Sequence, residues 1–276
     1  MMILSGVLRK LWLLWGNRLS NNFRQRNDAE LAYRRRMDDP LCLERHGYKV
    51  FSQNDEDGII AEIFNRIGVT NKVFVEFGVQ NGLECNTHFL LHKGWSGLWI
   101  EGSAKSCSAI RKLFAPPVKS GRLRVVNAFV DKDNINGLIT GGEGVSGGID
   151  LLSIDIDGND YWVWEAINCV QPRVVVIEYN PKFPPDFEWV MEYDKKHVWD
   201  RGDKHGASLK SLELLGRKSG YRLVGTNARG MNAFFVKADA AGGLFAQPAT
   251  AENLYNPQRL NIHYISGHPS KGYIGN

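Results

Sequence analysis

The chain has 276 residues, 43% of them hydrophobic and 11% aromatic, with a formal net charge of +4. This length and composition are typical of one globular α/β domain with appendages, and the aromatic content suits a substantial core. Eight basic and two acidic residues lie within residues 1–37 and give +6, so the remaining residues carry −2. Because the body is almost neutral, we expect no nucleic-acid partner. The four cysteines show no paired spacing, which excludes a zinc knuckle and indicates reduced thiols in a cytoplasmic protein.

Residues 1–45 form a predicted basic, amphipathic N-terminal arm. Its apolar residues recur at helical spacing and are Leu8, Leu11, Trp12 and Trp15. The apolar stretch is shorter than the ~20 residues of a spanning helix, and no signal-peptide cleavage site follows it. Two interpretations remain open. The helix lies on an anionic membrane surface, at the inner face of the membrane, or it packs on its own domain or on a second copy of the chain.

The first elements of the body are a helix and a strand. Residues 52–68 read as a helix with acidic residues in its first turn, an apolar face, and Gly68 as its stop. Residues 73–77 alternate β-branched and aromatic side chains, which is typical of a buried strand. Glu76 lies near the strand end, and Gly78 and Gly82 follow. Glycines allow a sharp turn and a close approach of a ligand to the backbone. A helix starting near Leu83 would then point its N-terminus at that ligand.

Strands and helices alternate along the rest of the body. The further predicted strands are 97–102, 122–130, 149–156 and 174–179, with helices at 104–114 and 161–170. This alternation predicts a parallel sheet with helices on both faces. A helix at 208–219 and two strands at 221–225 and 232–237 follow, and Asn227 and Gly230 in the connecting loop indicate an antiparallel hairpin. The tail, 241–276, is rich in Gly, Pro and Asn, and we expect it to be irregular.

Acidic residues recur at the ends of the predicted strands. They are Glu76, Glu101, Asp155, Asp157, Asp160 and Glu178. Ligands of open parallel sheets bind at the carboxyl ends of the strands, so these acids predict a binding site. Glu101 follows Gly82 by 19 positions, which suits hydrogen bonds to ribose hydroxyls. The alternative is that Glu101 caps the next helix.

The stretch 155–160, Asp-Ile-Asp-Gly-Asn-Asp, has three open interpretations. Oxygen ligands on a flexible turn suit Mg²⁺ or another divalent cation, for which we consider Asp155, Asp157 and Glu178. Close carboxylates also raise one another's pKa, so one of them is a candidate proton acceptor. In the third interpretation, Asp157 or Asn159 simply caps the helix that begins near Tyr161.

Taken together, these motifs resemble S-adenosylmethionine-dependent methyltransferases of the Rossmann-like class, and most closely the FkbM-type family. The resemblance covers residues 51–237, and the matching stretches are Glu-Phe-Gly-x-x-x-Gly at 76–82, Trp-Ile-Glu-Gly at 99–102, Leu-Leu-Ser-Ile-Asp-Ile-Asp-Gly at 151–158 and Asn-Ala-Phe-Phe-Val at 232–236. It implies an α/β domain at 46–240 with a mostly parallel seven-stranded sheet, an antiparallel last strand and helices on both faces. Residues 181–207 are a long insert that departs from the family pattern, and we interpret them as a lid.

The resemblance also implies roles for individual residues. The residues implied to hold S-adenosylmethionine are Glu76, Gly78, Gly82, Glu101, Ala128 and Asp155. Family members are associated with O-methylation of sugars and other small hydroxyl compounds. An acceptor hydroxyl must lose its proton or be polarised, so we consider Asp157 and His205 as bases, with His197 as a further histidine of the lid.

Two rival functions are compatible with the same residues. Asp-x-Asp at 155–157 would also hold a divalent cation on the diphosphate of a nucleotide-sugar, as in a glycosyltransferase. Against this, a carboxylate beside the Gly78 turn suits a cationic ligand better than a pyrophosphate. The other rival is a non-catalytic module that acts at a membrane surface through the basic arm.

Overall fold

A computed structural model describes residues 31, 33–141, 144–200 and 202–259. The chain divides into two compact units, Met1–Cys42 and Leu43–Asn276. In the first unit, residues 33–37 are helical. The predicted amphipathic helix of the arm and the tail beyond residue 259 lie outside the described residues. None of the helices in the described part of the chain has the length and apolar character that crossing a bilayer requires.

The second unit contains one seven-stranded sheet. Its strands are β1 Val73–Phe77, β2 Ser96–Glu101, β3 Leu123–Asn127, β4 Gly147–Ile154, β5 Val170–Glu178, β6 Tyr221–Thr226 and β7 Asn232–Lys237. They lie in the order β3-β2-β1-β4-β5-β7-β6. Strands β1 to β5 pair in parallel, and β7 runs antiparallel to both β5 and β6. This confirms the predicted Rossmann-like methyltransferase fold with an antiparallel last strand.

Helices connect the strands. They are α1 Glu56–Ile67, α2 His88–His92, α3 Ala104–Leu113, α4 Ala115–Lys119, α5 Ile135–Thr140, α6 Asp160–Ala166, α7 Leu209–Lys218, α8 Ala238–Ala241 and α9 Ala251–Leu254, preceded by a 3-10 helix, Leu43–His46. Ser103 and Ser208 cap α3 and α7 by accepting a hydrogen bond from a backbone N–H three residues on.

Both faces of the sheet are buried under apolar clusters. Successive side chains of a strand point to opposite faces, so neighbouring residues enter different clusters. Phe74 of β1 and Leu151 of β4 belong to one apolar cluster, while Val75 and Leu152, the next residues, belong to the other. The continuous apolar runs in β4 and β5 follow from this double burial. The carboxyl ends of the five parallel strands therefore meet at one edge of a rigid layer.

Several predicted boundaries were wrong. The helix after the glycine loop begins at His88 instead of Leu83, because the Glu76 carboxylate accepts hydrogen bonds from the backbone N–H groups of Asn86 and Thr87. Helix α1 begins at Glu56, four residues after the predicted start. The backbone N–H groups of Val50, Phe51 and Ser52, which precede the helix, donate to the Asp57 carboxylate instead.

The segment after Ala166 is also different from its prediction. Helix α6 ends at Ala166, and β5 begins at Val170, where the sequence predicted the last helical turn. The N–H groups of Asn168 and Cys169 both donate to the side-chain oxygen of Asn136. The tail contains a short helix, α9, in addition to irregular structure.

Candidate functional site

The loop after β1 is built around Glu76 and Gly78. Glu76 is buried and accepts hydrogen bonds from the N–H groups of Asn86 and Thr87, from the Thr87 hydroxyl and from the Ser153 hydroxyl at 3.0 Å. Burial raises the pKa of Glu76, although these hydrogen bonds oppose the increase. The carboxylate therefore ties the glycine loop to β4.

Gly78 lies where the chain leaves β1 and passes β4. Its φ is +81°, and a Cβ on it would lie 1.4 Å from the backbone oxygen of Asp155. No other residue fits this contact, since every other side chain begins with that Cβ. Gly78 thus allows the two strand ends to meet, and it lines the cavity described next.

Gly82 has a different environment from the one expected. Its φ is +79°, and a Cβ on it would lie 2.5 Å from the Trp99 indole and 3.0 Å from the Phe114 ring. The absent side chain makes room for core aromatics, and Gly82 is not among the residues that line the two hollows near the strand ends.

A cavity of about 580 Å³ opens at the carboxyl ends of β1, β2, β3 and β4. It brings together five residues predicted to hold the donor or to act on the acceptor, and these are Gly78, Glu101, Ala128, Asp155 and Asp157, with His197 of the predicted lid beside them. Its wall also contains Phe129, which is 76% exposed and covers Gly102. Its volume lies within the range usual for small-molecule sites.

Glu101 has both carboxylate oxygens engaged. One accepts a hydrogen bond from the Gln80 N–H at 2.8 Å, and the other accepts one from the Ser103 N–H at 2.8 Å. A carboxylate oxygen has lone pairs for a second donor, so Glu101 can still accept from a ligand hydroxyl. The alternative prediction was that Glu101 caps the next helix. Glu101 does bind the N–H of Ser103, but Ser103 is itself the N-cap residue of α3.

A second hollow of about 210 Å³ shares Gly78, Gln80 and Asp155 with the cavity. It lies on the Glu76 side of the glycine loop, and its wall includes the amide side chains of Gln53 and Asn232. The two hollows therefore adjoin at Gly78. The smaller one is lined by carboxylate and amide residues, and the larger one also has aromatic residues in its wall.

Asp155, Asp157 and Glu178 form an acidic cluster, each offering a carboxylate oxygen that lies within 4.8 Å of the others. Burial, then the neighbouring Asp160 and Asp157 carboxylates, raises the pKa of Asp155 well above its usual range. Burial and then Asp155 do the same to the pKa of Glu178. Among the described residues, one buried oxygen of Glu178 accepts no hydrogen bond, and Nδ1 of His205 lies 3.9 Å from it. An unpartnered oxygen and three repelling carboxylates fit a hard divalent cation, which would satisfy both.

Asp160 accounts for the geometry of the turn that carries this cluster. Its carboxylate accepts hydrogen bonds from the N–H groups of Ile156 and Gly158, each at 2.8 Å. Asn159 occupies the N-cap position of α6 without a capping side-chain hydrogen bond. Asp157 adopts a φ of +55°, an uncommon conformation for a residue with a side chain. Asp160 therefore stabilises the turn that precedes α6 and does not cap the helix, and Asp157 lines the cavity.

The two histidines of the insert lie at different places around this cluster. His205 places Nδ1 3.9 Å from the Glu178 carboxylate, but neither residue lines the cavity. His197 lines the cavity and places Nε2 3.2 Å from the backbone oxygen of Asp157. Burial raises the pKa of Asp157, whereas His205 and His197 lower it. Burial in turn lowers the pKa of His205.

Sequence reasoning missed several residues at these hollows. They are Gln53, Trp199 and Asn232. Phe129 was not missed, because it lies within residues 127–130, which the resemblance implies to be near the adenine. Gln53 and Asn232 belong to the loop before α1 and to β7, and only the tertiary structure brings them to the glycine loop.

No protein-family model and no curated relative matches the sequence. Among solved structures that resemble the chain is magnesium protoporphyrin IX methyltransferase (ChlM) from Synechocystis PCC 6803, at 10% identity and a TM-score of 0.44, covering 66% of this chain and 81% of that one. The N-terminal domain of EvdMO1 with SAH bound has 15% identity and a TM-score of 0.41, covering 75% and 94%. The glycopeptide N-methyltransferase MtfA has 14% identity and a TM-score of 0.40, covering 68% and 89%. At such low scores and identities, these resemblances do not bear on activity or substrate, and membership of the FkbM-type family stays a prediction.

Proposed function

We propose that this chain is an S-adenosylmethionine-dependent methyltransferase acting on a hydroxyl group of a sugar or another small acceptor. The observation that carries the proposal is the cavity, where the ends of four parallel strands bring Gly78, Glu101 and Asp155 to one wall. Ligands of open parallel sheets bind at this edge. A wall with several carboxylates suits a cationic sulfonium ligand better than a pyrophosphate.

The two adjoining hollows support a placement for each part of the donor. Glu101 would accept hydrogen bonds from the ribose hydroxyls, with Ala128 and the exposed Phe129 ring beside the adenine. The smaller hollow, with Glu76, Gln53 and Asn232, would take the amino-acid end of the methionine part. Gly82 would contribute indirectly, by letting the loop pack on Trp99.

The acceptor would lie on the Asp157 side of the cavity. Without a cation on the cluster, Asp157 would accept the hydroxyl proton, since its raised pKa makes it a better base than an ordinary aspartate. With a cation bound, Asp157 would serve as its ligand instead of as the base. Holding the acceptor oxygen in line with the methyl group and the sulfur supplies most of the rate enhancement, because the sulfonium already activates the methyl group. His205 would act through Glu178, which it approaches.

A divalent cation, Mg²⁺ or a similar ion, forms part of the proposal. Asp155, Asp157 and Glu178 would hold it, and the unpartnered Glu178 oxygen supports this assignment. When bound, such an ion polarises an acceptor oxygen. The protein would work in the cytoplasm, with the basic arm as a contact to the membrane surface or to a second copy.

Calorimetric titration separates this function from its rivals. We expect S-adenosylhomocysteine to bind in the micromolar range and UDP-glucose to give no heat, with or without Mn²⁺. Micromolar binding of UDP-glucose without a response to S-adenosylhomocysteine would instead identify a glycosyltransferase. Deuterated-methyl donor added to extracts of the host, followed by mass spectrometry, then identifies the acceptor. A protein that binds neither ligand and labels nothing would be a non-catalytic module.

The cation has its own test. Glu178→Gln removes one ligand charge while keeping the side-chain shape, and we expect Mn²⁺ affinity to fall about tenfold or more. Electron paramagnetic resonance of free Mn²⁺ measures this directly, without an acceptor. Equal Mn²⁺ binding by the wild type and the variant would remove the cation from the proposal and leave the methyl donor in place.

A further inference from the structure

We propose that His197 is a positioning residue that fixes the Asp157–Gly158 turn and so couples a strap over the cavity to the acidic cluster. The strap is residues 191–199, of which 195–199 line the cavity. This inference deepens the proposed function and rests on it where it concerns the cation.

The first part of the strap, residues 191–195, is attached to α6 and to the segment after β3. Asn159 donates from its side-chain amide to the backbone oxygen of Asp194 at 2.7 Å and accepts from the Asp194 N–H at 3.3 Å. The Trp162 indole N–H donates to the Met191 oxygen at 2.8 Å. Farther along, the Lys195 ammonium pairs with Asp131 at 3.1 Å and with Asp133 at 3.3 Å. These contacts hold residues 191–195 of the strap, and His197 follows two positions later.

His197 contacts the turn in two ways. Its Nε2 lies 3.2 Å from the Asp157 backbone oxygen, which can only accept, so the ring donates from Nε2. The same ring fills the space that a side chain on Gly158 would occupy, since a Cβ there would lie 2.3 Å from the ring. The residue before the glycine, Asp157, has a φ of +55°. A residue held in this conformation needs support from its surroundings. Asp160 supports the turn through the N–H groups of Ile156 and Gly158, and His197 adds a contact at the Asp157 carbonyl oxygen.

The consequence concerns the direction of the Asp157 carboxylate. Asp157 belongs both to the cavity wall and to the acidic cluster, whose oxygens lie within 4.8 Å of one another. A change in the backbone turn would move that carboxylate away from Asp155 and Glu178. Lifting the strap would therefore weaken the cluster as a ligand set, and a ligand on the cluster would hold the strap down, because coupling between two sites is reciprocal.

Four variants of the full chain test this role. His197→Phe keeps a ring over Gly158 and removes the donor, and His197→Gln restores a donor. Gly158→Ala displaces the ring without altering any carboxylate. Glu192→Ala changes an exposed strap residue that does not line the cavity and serves as the matched control.

We expect His197→Phe and Gly158→Ala to weaken Mn²⁺ binding about tenfold, as removal of a supporting contact does in metal sites. Mn²⁺ affinity in His197→Gln and Glu192→Ala should stay within about threefold of the wild type. In His197→Phe and Gly158→Ala, S-adenosylhomocysteine affinity should fall by a clearly smaller factor than Mn²⁺ affinity, because the predicted ribose and adenine contacts lie at Glu101 and Ala128. A strap that merely covers the cavity would weaken both ligands equally, which would overturn the positioning role. So would a His197→Phe variant that binds Mn²⁺ like the wild type.

Hydrogen exchange of the unliganded protein keeps the inference independent of the cation. We expect faster exchange in residues 155–160 for His197→Phe and Gly158→Ala, with His197→Gln and Glu192→Ala like the wild type. If the wild type does not bind Mn²⁺, the cation proposal fails and the exchange result alone decides the role of His197. Unchanged exchange in 155–160 would refute it.

Discussion

Glu101 is a residue whose predicted role depends on what its carboxylate already binds. Its oxygens accept from the N–H groups of Gln80 and Ser103, so the side chain arrives at the cavity in a fixed position. Gln80 has a φ of +51° and lines the cavity beside it. Glu101 thus shapes the glycine loop and also lines the cavity in which we propose that the ribose binds.

Glu101→Ala should reduce the affinity for S-adenosylhomocysteine by about 1–3 kcal/mol, the cost of losing a buried hydrogen bond to a charged group. Calorimetry measures it, with Glu165→Ala, a change on a surface ion pair with Lys218, as control. Unchanged affinity in Glu101→Ala would mean that the ribose lies elsewhere.

His88 carries a prediction about pH. The ring is buried, stacks on Phe51 with 4.0 Å between ring centroids, and hydrogen bonds to the Leu83 oxygen at 3.2 Å. Burial lowers the pKa of His88 from 6.5 to about 4. The unfolded chain therefore binds the proton more readily, so this stability is present above pH 6.5 and is lost as the pH falls towards 4.

We expect the free energy of unfolding to fall by about 2–3 kcal/mol from this group between about pH 7 and about pH 4.5. His88→Asn keeps a donor for Leu83 and does not titrate, so its pH dependence should be shallower by that amount. Urea unfolding at both pH values measures the slope, and His46→Asn, at a more exposed histidine, is the control. A slope equal to that of the wild type in His88→Asn would show that other groups cause the acid loss.

At the scale of elements, the contact between the ends of β1 and β4 decides the geometry of the site. Gly78 and Gly94 both have positive φ, at +81° and +79°. A Cβ on Gly78 would overlap the Asp155 oxygen, whereas a Cβ on Gly94 meets open space. The same substitution at the two positions therefore separates backbone conformation from steric overlap.

Gly78→Ala should destabilise the protein by at least about 3 kcal/mol, because β1 and β4 must separate. Gly94→Ala should cost only about 1–2 kcal/mol, the cost of the left-handed conformation alone. Denaturant unfolding gives both values. Similar costs at the two glycines would show that the strand ends accommodate the methyl group.

Much of this architecture was predictable from the sequence, for a local reason. Alternation in 73–77 and the apolar runs of 151–154 and 174–177 identified the strands, and acids at strand ends identified the edge that carries the cavity. The start of α2 was missed because Glu76 binds N–H groups ten and eleven residues away. The sequence predicted a lid over 181–207 but not its attachment to α6, because the bonded residues Asn159 and Asp194 are 35 positions apart. Contacts over such distances leave no periodic signal in a sequence.

At the scale of the whole molecule, every residue that lines either hollow belongs to the unit Leu43–Asn276. That unit contains the whole sheet and both apolar clusters. We therefore expect a chain of residues 43–276 to bind S-adenosylhomocysteine with an affinity within about twofold of the full chain, an effect below ~0.5 kcal/mol.

Calorimetry on the two chains measures this, and liposome flotation of the same pair tests the predicted membrane contact of the arm. Loss of ligand binding in the shorter chain, with its circular dichroism unchanged, would contradict the prediction. It would mean that the first 42 residues contribute to the binding site.

The pairing of β1 with β4 has a consequence for how the protein is made. The Ser153 hydroxyl and the Glu76 carboxylate that it bonds are 77 positions apart. Until β4 has left the ribosome, one edge of β1 has no partner strand, and the Glu76 carboxylate lacks its hydrogen bond from Ser153. Pairing between distant segments is slow, and unpaired strand edges invite aggregation. A nascent chain that pauses before residue 147 should therefore depend on chaperones, and its ligand site cannot form until β4 has been made.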